Sequence, residues 1–346
     1  MKKKEVSAYA RAGVDIDSKM KALDELKRMV KNTPRKGIIA GIGAFGGMFV
    51  SPGADHVLVA SVDGVGTKIK VAVMANKHDT VGQDIVNHCV NDILVQGAYP
   101  LFFLDYVAFS RFDRAVFRQI MTGICRACSE NDCALLGGET AELPGVYPEG
   151  EYDLVGMIVG SVSKEETLKS EPVLPGDMII GLRSTGLHTN GYSLARKIIF
   201  EKLGLKITDT FPGLKRNVAD VLLAVHRSYL RPVKFLQQKV KIIAMAHITG
   251  GGFTDNIPRV LSRNTSAVID CSSWTPPHVF RFIQIEGKVS SAEMYRVFNM
   301  GIGFVIIVRE KDASTAMSVL KEAGEKPVLI GYICEGRRQV ILKGLK

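Results

Sequence analysis

Apolar residues recur along the chain at two periods, one near two residues and one near three and a half, and the alternation between them predicts the elements. Met20, Leu23, Leu26, Met29 and Val30, set among charges, predict a helix over 17–31. The run Val57–Val62 reads as a strand that ends in Asp63-Gly-Val-Gly-Thr-Lys68. From Gln83 to Gln96, Ile85, Val86, Cys89, Val90, Ile93 and Leu94 fall on one half of a helical wheel. Asp84, Asn87, His88, Asn91 and Asp92 fall on the other half. A strand at 100–106, a helix over 114–130 and a strand at 133–136 follow, the last running into Gly137-Gly-Glu-Thr-Ala-Glu142.

Prolines and a glycine in Ser170-Glu-Pro-Val-Leu-Pro-Gly176 mark a boundary. Beyond it, Met178–Leu182 reads as a strand, 194–203 as a helix and 304–308 as a strand. Strands and helices mix on both sides. The expectation is an α+β protein of two sandwich-like domains, 1–168 and 169–346, each long enough for its own core.

Composition narrows the function. At 346 residues, 46% hydrophobic and 23% charged, the chain is globular. The net charge of +10 would suit polyanions, but the basic residues stand singly or in pairs, without an aromatic-interleaved stripe. Nucleic acid is therefore not expected as a partner. The basic start lacks the apolar stretch of a signal peptide, and no apolar run approaches the roughly 20 residues of a membrane helix. A membrane is not expected as a partner either. Six cysteines without framework spacing read as reduced thiols in a cytoplasmic protein.

Several glycine-rich stretches carry candidate chemistry. Gly41-x-Gly43-x-x-Gly46 resembles a dinucleotide fingerprint, but Pro52 follows too soon for the helix that fingerprint needs. There is no Walker A sequence. In Asp63-Gly-Val-Gly-Thr-Lys68, a carboxylate at a strand end can hold Mg²⁺, glycines allow close approach, and a lysine can offset phosphate charge; a hairpin turn with solvated ends is the plain alternative. The polar side of the 83–96 helix offers oxygen ligands in Asp84, Asn91 and Asp92, against a solvated face, with His88 read as a bystander. Cys125, Cys128 and Cys133 read as structural thiols. His188-Thr-Asn-Gly-Tyr-Ser193 and Thr249-Gly-Gly-Gly-Phe253 each precede a helical pattern and suit phosphate binding, or simply helix starts.

Taken in order, these stretches resemble the phosphoribosylformylglycinamidine cyclo-ligase (aminoimidazole ribonucleotide synthetase) family. The resemblance runs from Tyr9-x-x-Ala-Gly-Val-Asp-Ile-Asp17 through Val62–Lys68, Gly82-x-Asp-x-Val-x-x-x-Val-Asn-Asp92 and Leu101-Phe-Phe-Leu-Asp-Tyr106. It continues through Gly137–Glu142, His188–Leu194, Ile248–Phe253 and Glu293-Met-Tyr-Arg-x-Phe-Asn299. Ile42 and Ala44 depart from it, where glycine is usual.

The resemblance implies a C–N bond-forming ligase of purine biosynthesis that uses ATP to convert formylglycinamidine ribonucleotide to 5-aminoimidazole ribonucleotide, ADP and phosphate. It implies Mg²⁺, with K⁺ as an optional second ion. It also implies a homodimer whose N-terminal sheets pair into a barrel. Carried over by position, it makes Asp63, Asp84, Asp92 and Glu139 metal ligands. Lys27, Gly43, Phe45, Gly46, Gly47, Asp63, Gly64, Thr67, Lys68 and Asn91 become nucleotide contacts. His188, Thr189, Asn190, Ser193, Gly250, Gly251 and Gly252 become substrate contacts, with Asp63, Asp92 and His188 as the catalytic group. Two alternatives stand beside this one. The first is another ATP-using enzyme of the same superfamily, such as thiamine monophosphate kinase or selenophosphate synthetase; the second is a non-catalytic nucleotide- or RNA-binding protein.

Overall fold

The computed structural model describes residues 38–40, 47–51, 53–167 and 171–345. The helix expected over 17–31, with Lys27, and the loop residues Gly43, Phe45 and Gly46 lie outside them. The strands are β1 (Ile38–Ala40), β2 (Gly47–Val50), β3 (His56–Gly64), β4 (Tyr99–Phe109), β5 (Ala134–Glu142) and β6 (Tyr152–Ser163), then β7 (Met178–Arg183), β8 (Ala244–His247), β9 (Thr265–Asp270), β10 (Ile302–Val308), β11 (Val328–Glu335) and β12 (Val340–Lys343). They form two six-stranded sheets, ordered β1-β2-β3-β6-β4-β5 and β12-β9-β11-β7-β10-β8. The first is antiparallel except for β4–β5, the second except for β12–β9.

In the first lobe, helices α1 (Lys68–Ala75), α2 (Asp79–Leu94) and α3 (Arg114–Glu130) follow the strand pattern. α3 has the bounds its periodicity predicts, because the Asp113 carboxylate accepts the free Ala115 and Val116 amides at 2.7 and 3.1 Å and sets its start. α2 begins a turn earlier than expected and crosses α3 with almost no gap. A Cβ on Gly82 would meet the Ile120 carbonyl, and one on Gly123 the Asp79 carbonyl. Backbone thus packs on backbone at this crossing. The inner face of the sheet, with Val57, Val59, Phe103, Val107 and Ile158, closes the core against α2.

Two expectations are corrected. The strand expected over 133–136, with the glycine-rich Gly137–Glu142 read as a loop after it, instead continues through those residues: all of Gly137–Glu142 belongs to β5, held by pairing with β4 out to Phe109–Glu142. The expected helix at 194–203 is a short α-turn, Tyr192–Arg196, continued by a π-helical turn, Lys197–Lys202. No helix among the described residues is long and apolar enough to cross a membrane.

Candidate functional site

Every residue of α2 from Thr80 to Leu94 is buried, its polar half included. The sequence left that half either a ligand-bearing face or a solvated one; the second lobe covers it. The covering segment is Ala224–Tyr229, and α2 grips its backbone. Asp84 Oδ1 accepts the His226 N–H at 2.7 Å, and Asn87 Nδ2 donates to the His226 carbonyl at 2.8 Å. Asn91 accepts the Tyr229 N–H at 2.9 Å and donates to the Arg227 carbonyl at 3.0 Å. Asn131 fixes the Asn87 amide by donating to its oxygen at 2.8 Å.

Lys68 completes this clamp. Its ammonium lies 2.7 Å from Asp84 and donates to the Ala224 carbonyl at 2.8 Å, with both side chains of the ion pair fully buried. Burial pushes the Lys68 ammonium down and the Asp84 carboxyl up, and each partner offsets the shift of the other. The expected roles therefore change. Lys68 and Asn91 are not open to a nucleotide, and Asp84 is committed to Lys68 and His226 rather than to a metal. These residues join the lobes and hold the 224–229 segment in place.

That segment carries His226 into a closed ring of hydrogen bonds. His88 Nε2 lies 2.7 Å from Asp63 and 3.4 Å from Asp92, while its Nδ1 meets Thr189 Oγ1 at 2.8 Å. Thr189 Oγ1 reaches His226 Nδ1 at 3.3 Å, and His226 Nε2 faces His247 Nε2 at 3.0 Å. His247 Nδ1 returns to Asp92 Oδ1 at 2.8 Å, and Ser61 Oγ donates to the other Asp92 oxygen at 3.3 Å.

Burial opposes the imidazolium of His88, but Asp63 and Asp92 outweigh it and hold its pKa well above the ordinary value. Burial would likewise raise both carboxyls; the His88 charge overrides it and lowers Asp63 and Asp92. His88 is thus the hub of the cluster rather than a bystander. His226 and His247 were not anticipated at all. Only the position of His247, a polar residue closing an apolar strand before the Gly250–Gly252 turn, hinted at it.

Asp63 ends β3 with a half-exposed side chain, its other oxygen accepting the Gly64 N–H at 2.7 Å. The turn after it meets the second lobe, where Thr67 Oγ1 lies 3.1 Å from Ser193 Oγ. Asn190 and Gly250 adjoin, since a Cβ on Gly250 would sit 3.2 Å from the Asn190 side-chain oxygen. Gly251 and Gly252 take φ of +94° and +58°, a backbone open to glycine. The turn expected at 63–67 and the turns expected at 189–193 and 250–252 therefore meet along one seam between the lobes.

His188 departs from its expected place. It is buried at φ +61°, its ring stacked 4.0 Å from His226, and Nε2 accepts the Thr185 N–H at 3.2 Å. Burial and the neighbouring cations push its pKa well down. It supports His226 and the turn rather than lining open space. Glu139 also departs. It lies on β5 opposite Tyr106, one step out of phase with Asp105, exposed, and away from the Asp63–Asp92 cluster. Gly47 opens β2.

The chain matches two family descriptions, AIR synthase related protein, N-terminal domain, over residues 46–162, and AIR synthase related protein, C-terminal domain, over 175–343. It is 48% identical to the phosphoribosylformylglycinamidine cyclo-ligase of Thermoanaerobacter pseudethanolicus, covering 96% of this chain and 99% of that one. It is 47% identical to the protein of the same name from Burkholderia multivorans, over 97% and 96%. Its fold also resembles a thiamine-monophosphate kinase from Stenotrophomonas maltophilia, with TM-score 0.63 and 17% identity over 93% and 95% of the two chains. A HypE–HypF complex structure superposes with TM-score 0.66 and 14% identity, over 93% and 95%. Low identity limits these last two to a shared fold, whereas the full-length relatives are close in sequence as well. The chain belongs to the phosphoribosylformylglycinamidine cyclo-ligase family, built from the two AIR synthase related domains.

Proposed function

We propose that this protein closes the imidazole ring of 5-aminoimidazole ribonucleotide, using ATP and formylglycinamidine ribonucleotide and releasing ADP and phosphate. The observation that carries the reading is the convergence of the Asp63–Thr67 turn with the Asn190–Ser193 and Gly250–Gly252 turns, which meet at the Thr67–Ser193 contact of 3.1 Å. A formamide oxygen is a poor leaving group. Transfer of the γ-phosphoryl group to that oxygen turns it into a phosphate; the amidine nitrogen then bonds to the same carbon, phosphate departs, and the nitrogen gives up a proton. Two substrates held in register make most of the rate, because the second step closes a five-membered ring within one molecule.

The chain's own groups divide this work. Gly64 and Gly66 leave room for a triphosphate beside Asp63. Thr67 and Ser193 bring the nucleotide and substrate sides together, and Asn190 with Gly250–Gly252 cradles the ribose phosphate. Mg²⁺ bound with ATP would neutralise phosphate charge there. It needs only one or two carboxylates besides phosphate and water, and half-exposed Asp63 at the strand end fits that demand. Asp92 stands behind Asp63 and acts on it through His88. Glu139 and Asp84 are left out of this set.

Two copies pair through the outer face of the first sheet, where Val62, Met157 and Leu104 stand side by side in register.

Purified protein given MgATP and formylglycinamidine ribonucleotide is expected to form the aminoimidazole product; a folded protein that forms none would refute the reading. Asp63→Asn is expected to lower turnover by about 10²–10³-fold, the scale of losing one aligned charge-stabilising group, in a protein that circular dichroism shows to be folded. Equal turnover in the variant would remove Asp63 from the reaction.

A further inference from the structure

Ring closure uses none of the cysteines, yet two of them share one turn. At the end of α3 the Cys133 N–H donates to the Cys128 carbonyl at 2.9 Å, and Asp132 just before it takes φ +53°. A left-handed residue closed by a hydrogen bond from the sixth position back to the first is a Schellman stop, and it sets the side chains of those two positions against each other. An apolar pair commonly fills that contact. Here both positions are cysteine, buried at 3% and 7% exposure.

No metal geometry accounts for them. Among the described residues, the groups able to hold an ion contain no cysteine. Cys89, another thiol of this core, is engaged elsewhere, since its Sγ donates to the Gly156 carbonyl at 3.5 Å. Cys125 lies one helical turn before Cys128 but is exposed. The Cys128 thiol donates toward the Cys133 sulfur. That contact raises the pKa of Cys128 and holds Cys133 below the ordinary value in spite of burial. The turn therefore carries a nucleophilic sulfur with a second thiol directly beside it, the arrangement in which a sulfenic acid is captured as a disulfide.

The same turn reaches the interlobe clamp. Asn131, inside it, is buried, and its amide donates to the Ala127 carbonyl at 2.7 Å and to Asn87 Oδ1 at 2.8 Å. Asn87 in turn donates to the His226 carbonyl at 2.8 Å. Drawing two sulfurs from a non-covalent contact into a bond pulls the last turn of α3 toward β5, and Asn131 lies in the loop that closes.

We propose that Cys128 and Cys133 are a redox pair, closed to a disulfide by hydrogen peroxide and reopened by thiols, and that closing it loosens the hold of Asn131 and Asn87 on the segment that carries His226. First the Cys133 sulfur attacks one peroxide oxygen, the O–O bond breaks, and the other oxygen leaves as water with the Cys133 proton. The Cys128 sulfur then attacks the sulfenic sulfur, the S–O bond breaks, and the hydroxyl leaves as a second water with the Cys128 proton. The two thiols lose two electrons and the peroxide gains them.

The test treats the full-length protein with hydrogen peroxide, alkylates the remaining thiols and maps the tryptic peptides by mass. Trypsin releases Cys128 and Cys133 together on the peptide 127–164, and Cys125 on another. The 127–164 peptide is expected to lose two hydrogens and to resist alkylation until dithiothreitol is added. A peptide that still takes two alkyl groups overturns the pair. Hydrogen exchange at the 224–229 amides should lose protection on oxidation, as it should in reduced Asn131→Ala, and ring closure should slow by about 10–100-fold, the scale of a small misplacement. A closed pair with unchanged exchange and unchanged turnover overturns its action on the clamp. Peroxide-treated Cys133→Ser should keep its turnover, with Cys128→Ser in its place should the first variant fail to fold; an equal loss in the folded variant would assign the effect to another thiol. The turnover arm alone rests on the cyclo-ligase reading. Reduced protein that forms no product sinks that reading, while the peptide map and the exchange still decide this one.

Discussion

Lys68 and Asp84 show how far one contact can move a residue's meaning. Between Gly66-Thr67 and a helix, a lysine invites a phosphate, and an aspartate on a polar helical face invites a metal. Their 2.7 Å ion pair, sealed from solvent, turns both inward. Removing one partner of a buried pair leaves a charge without compensation and costs about 3–5 kcal/mol, while replacing both by apolar groups is often neutral. Lys68→Met is therefore expected to lower urea-unfolding stability by that amount, and Lys68→Met with Asp84→Leu to recover most of it. A Lys68→Met protein of unchanged stability but weakened ATP binding would return Lys68 to the nucleotide.

Protonation offers a second residue-scale test. Burial pushes His188 and His226 well below the ordinary histidine value, so below a pH of about 6.5 the unfolded chain takes up protons the folded chain refuses. Stability then falls as pH drops, by about 1.4 kcal/mol per pH unit for each such histidine. His88, raised by its carboxylates, runs the other way: its contribution is present at low pH and fades only as pH climbs through its elevated folded value. Thermal unfolding midpoints of the wild type between pH 8 and 5.5 should fall on the acid side. In His226→Gln the fall should be shallower, and equal slopes would mean that His226 is not held neutral.

Which site residues were readable follows from where their neighbours come from. Asp63 was readable because a strand, a carboxylate and two glycines sit together in the chain. His88 was not, because Asp63 and Thr189 come from distant segments, and a helical wheel places only Asp92, one turn on, beside it. His226 stands in a stretch with no glycine and no motif, and only tertiary packing by Asp84, Asn87 and Asn91 gives it a place.

At the scale of elements, α2 is the part that joins the lobes, and its two sides work differently. One side packs on the sheet and on α3 as its apolar spacing predicts. The other carries Asp84, Asn87, His88, Asn91 and Asp92 into the second lobe, each with a named partner there or in β3. Helix and strand periods identified the elements well: β3, β4, α3, β7 and β10 all contain the predicted runs. They failed where pairing overrode local composition, as in β5, whose Gly137-Gly138 would suggest a loop to any local rule. They also failed where a turn tightened, as in the π-helical Lys197–Lys202.

The crossing of α2 on α3 sets how deeply α2 sits, because Gly82 and Gly123 let backbone touch backbone. Gly82→Ala adds a methyl group against the Ile120 carbonyl, which cannot move as a side chain could. Overpacking of this kind costs about 1–3 kcal/mol, and the shift it forces should pass along α2 to Asp92. Reduced unfolding stability together with slower ring closure is the expected result; a stability loss with undiminished turnover would show that the site is insulated from the crossing.

For the whole molecule, the two faces of the first sheet pose the last question. Its inner face is closed by α2, but its outer face carries Val62 at 60% exposure, Met157 at 37%, and Leu104 beside them. Ala60, Val159 and Phe102 form the next row along. A continuous exposed apolar row on a sheet commonly marks an interaction surface, and the proposed pairing would cover it with a second copy of the same face, in the two-fold symmetry that most homo-oligomers adopt. Burying a charge in that contact without a partner is costly. Val62→Glu is therefore expected to shift the protein from dimer to monomer in light scattering at micromolar concentration. The inner core, and with it the circular dichroism spectrum, should stay as it was, since Val62 points away from α2. Ring closure in the monomer then tells whether the site is complete within one chain. If Val62→Glu leaves the scattering mass of the wild type unchanged, the outer face is not where the copies meet.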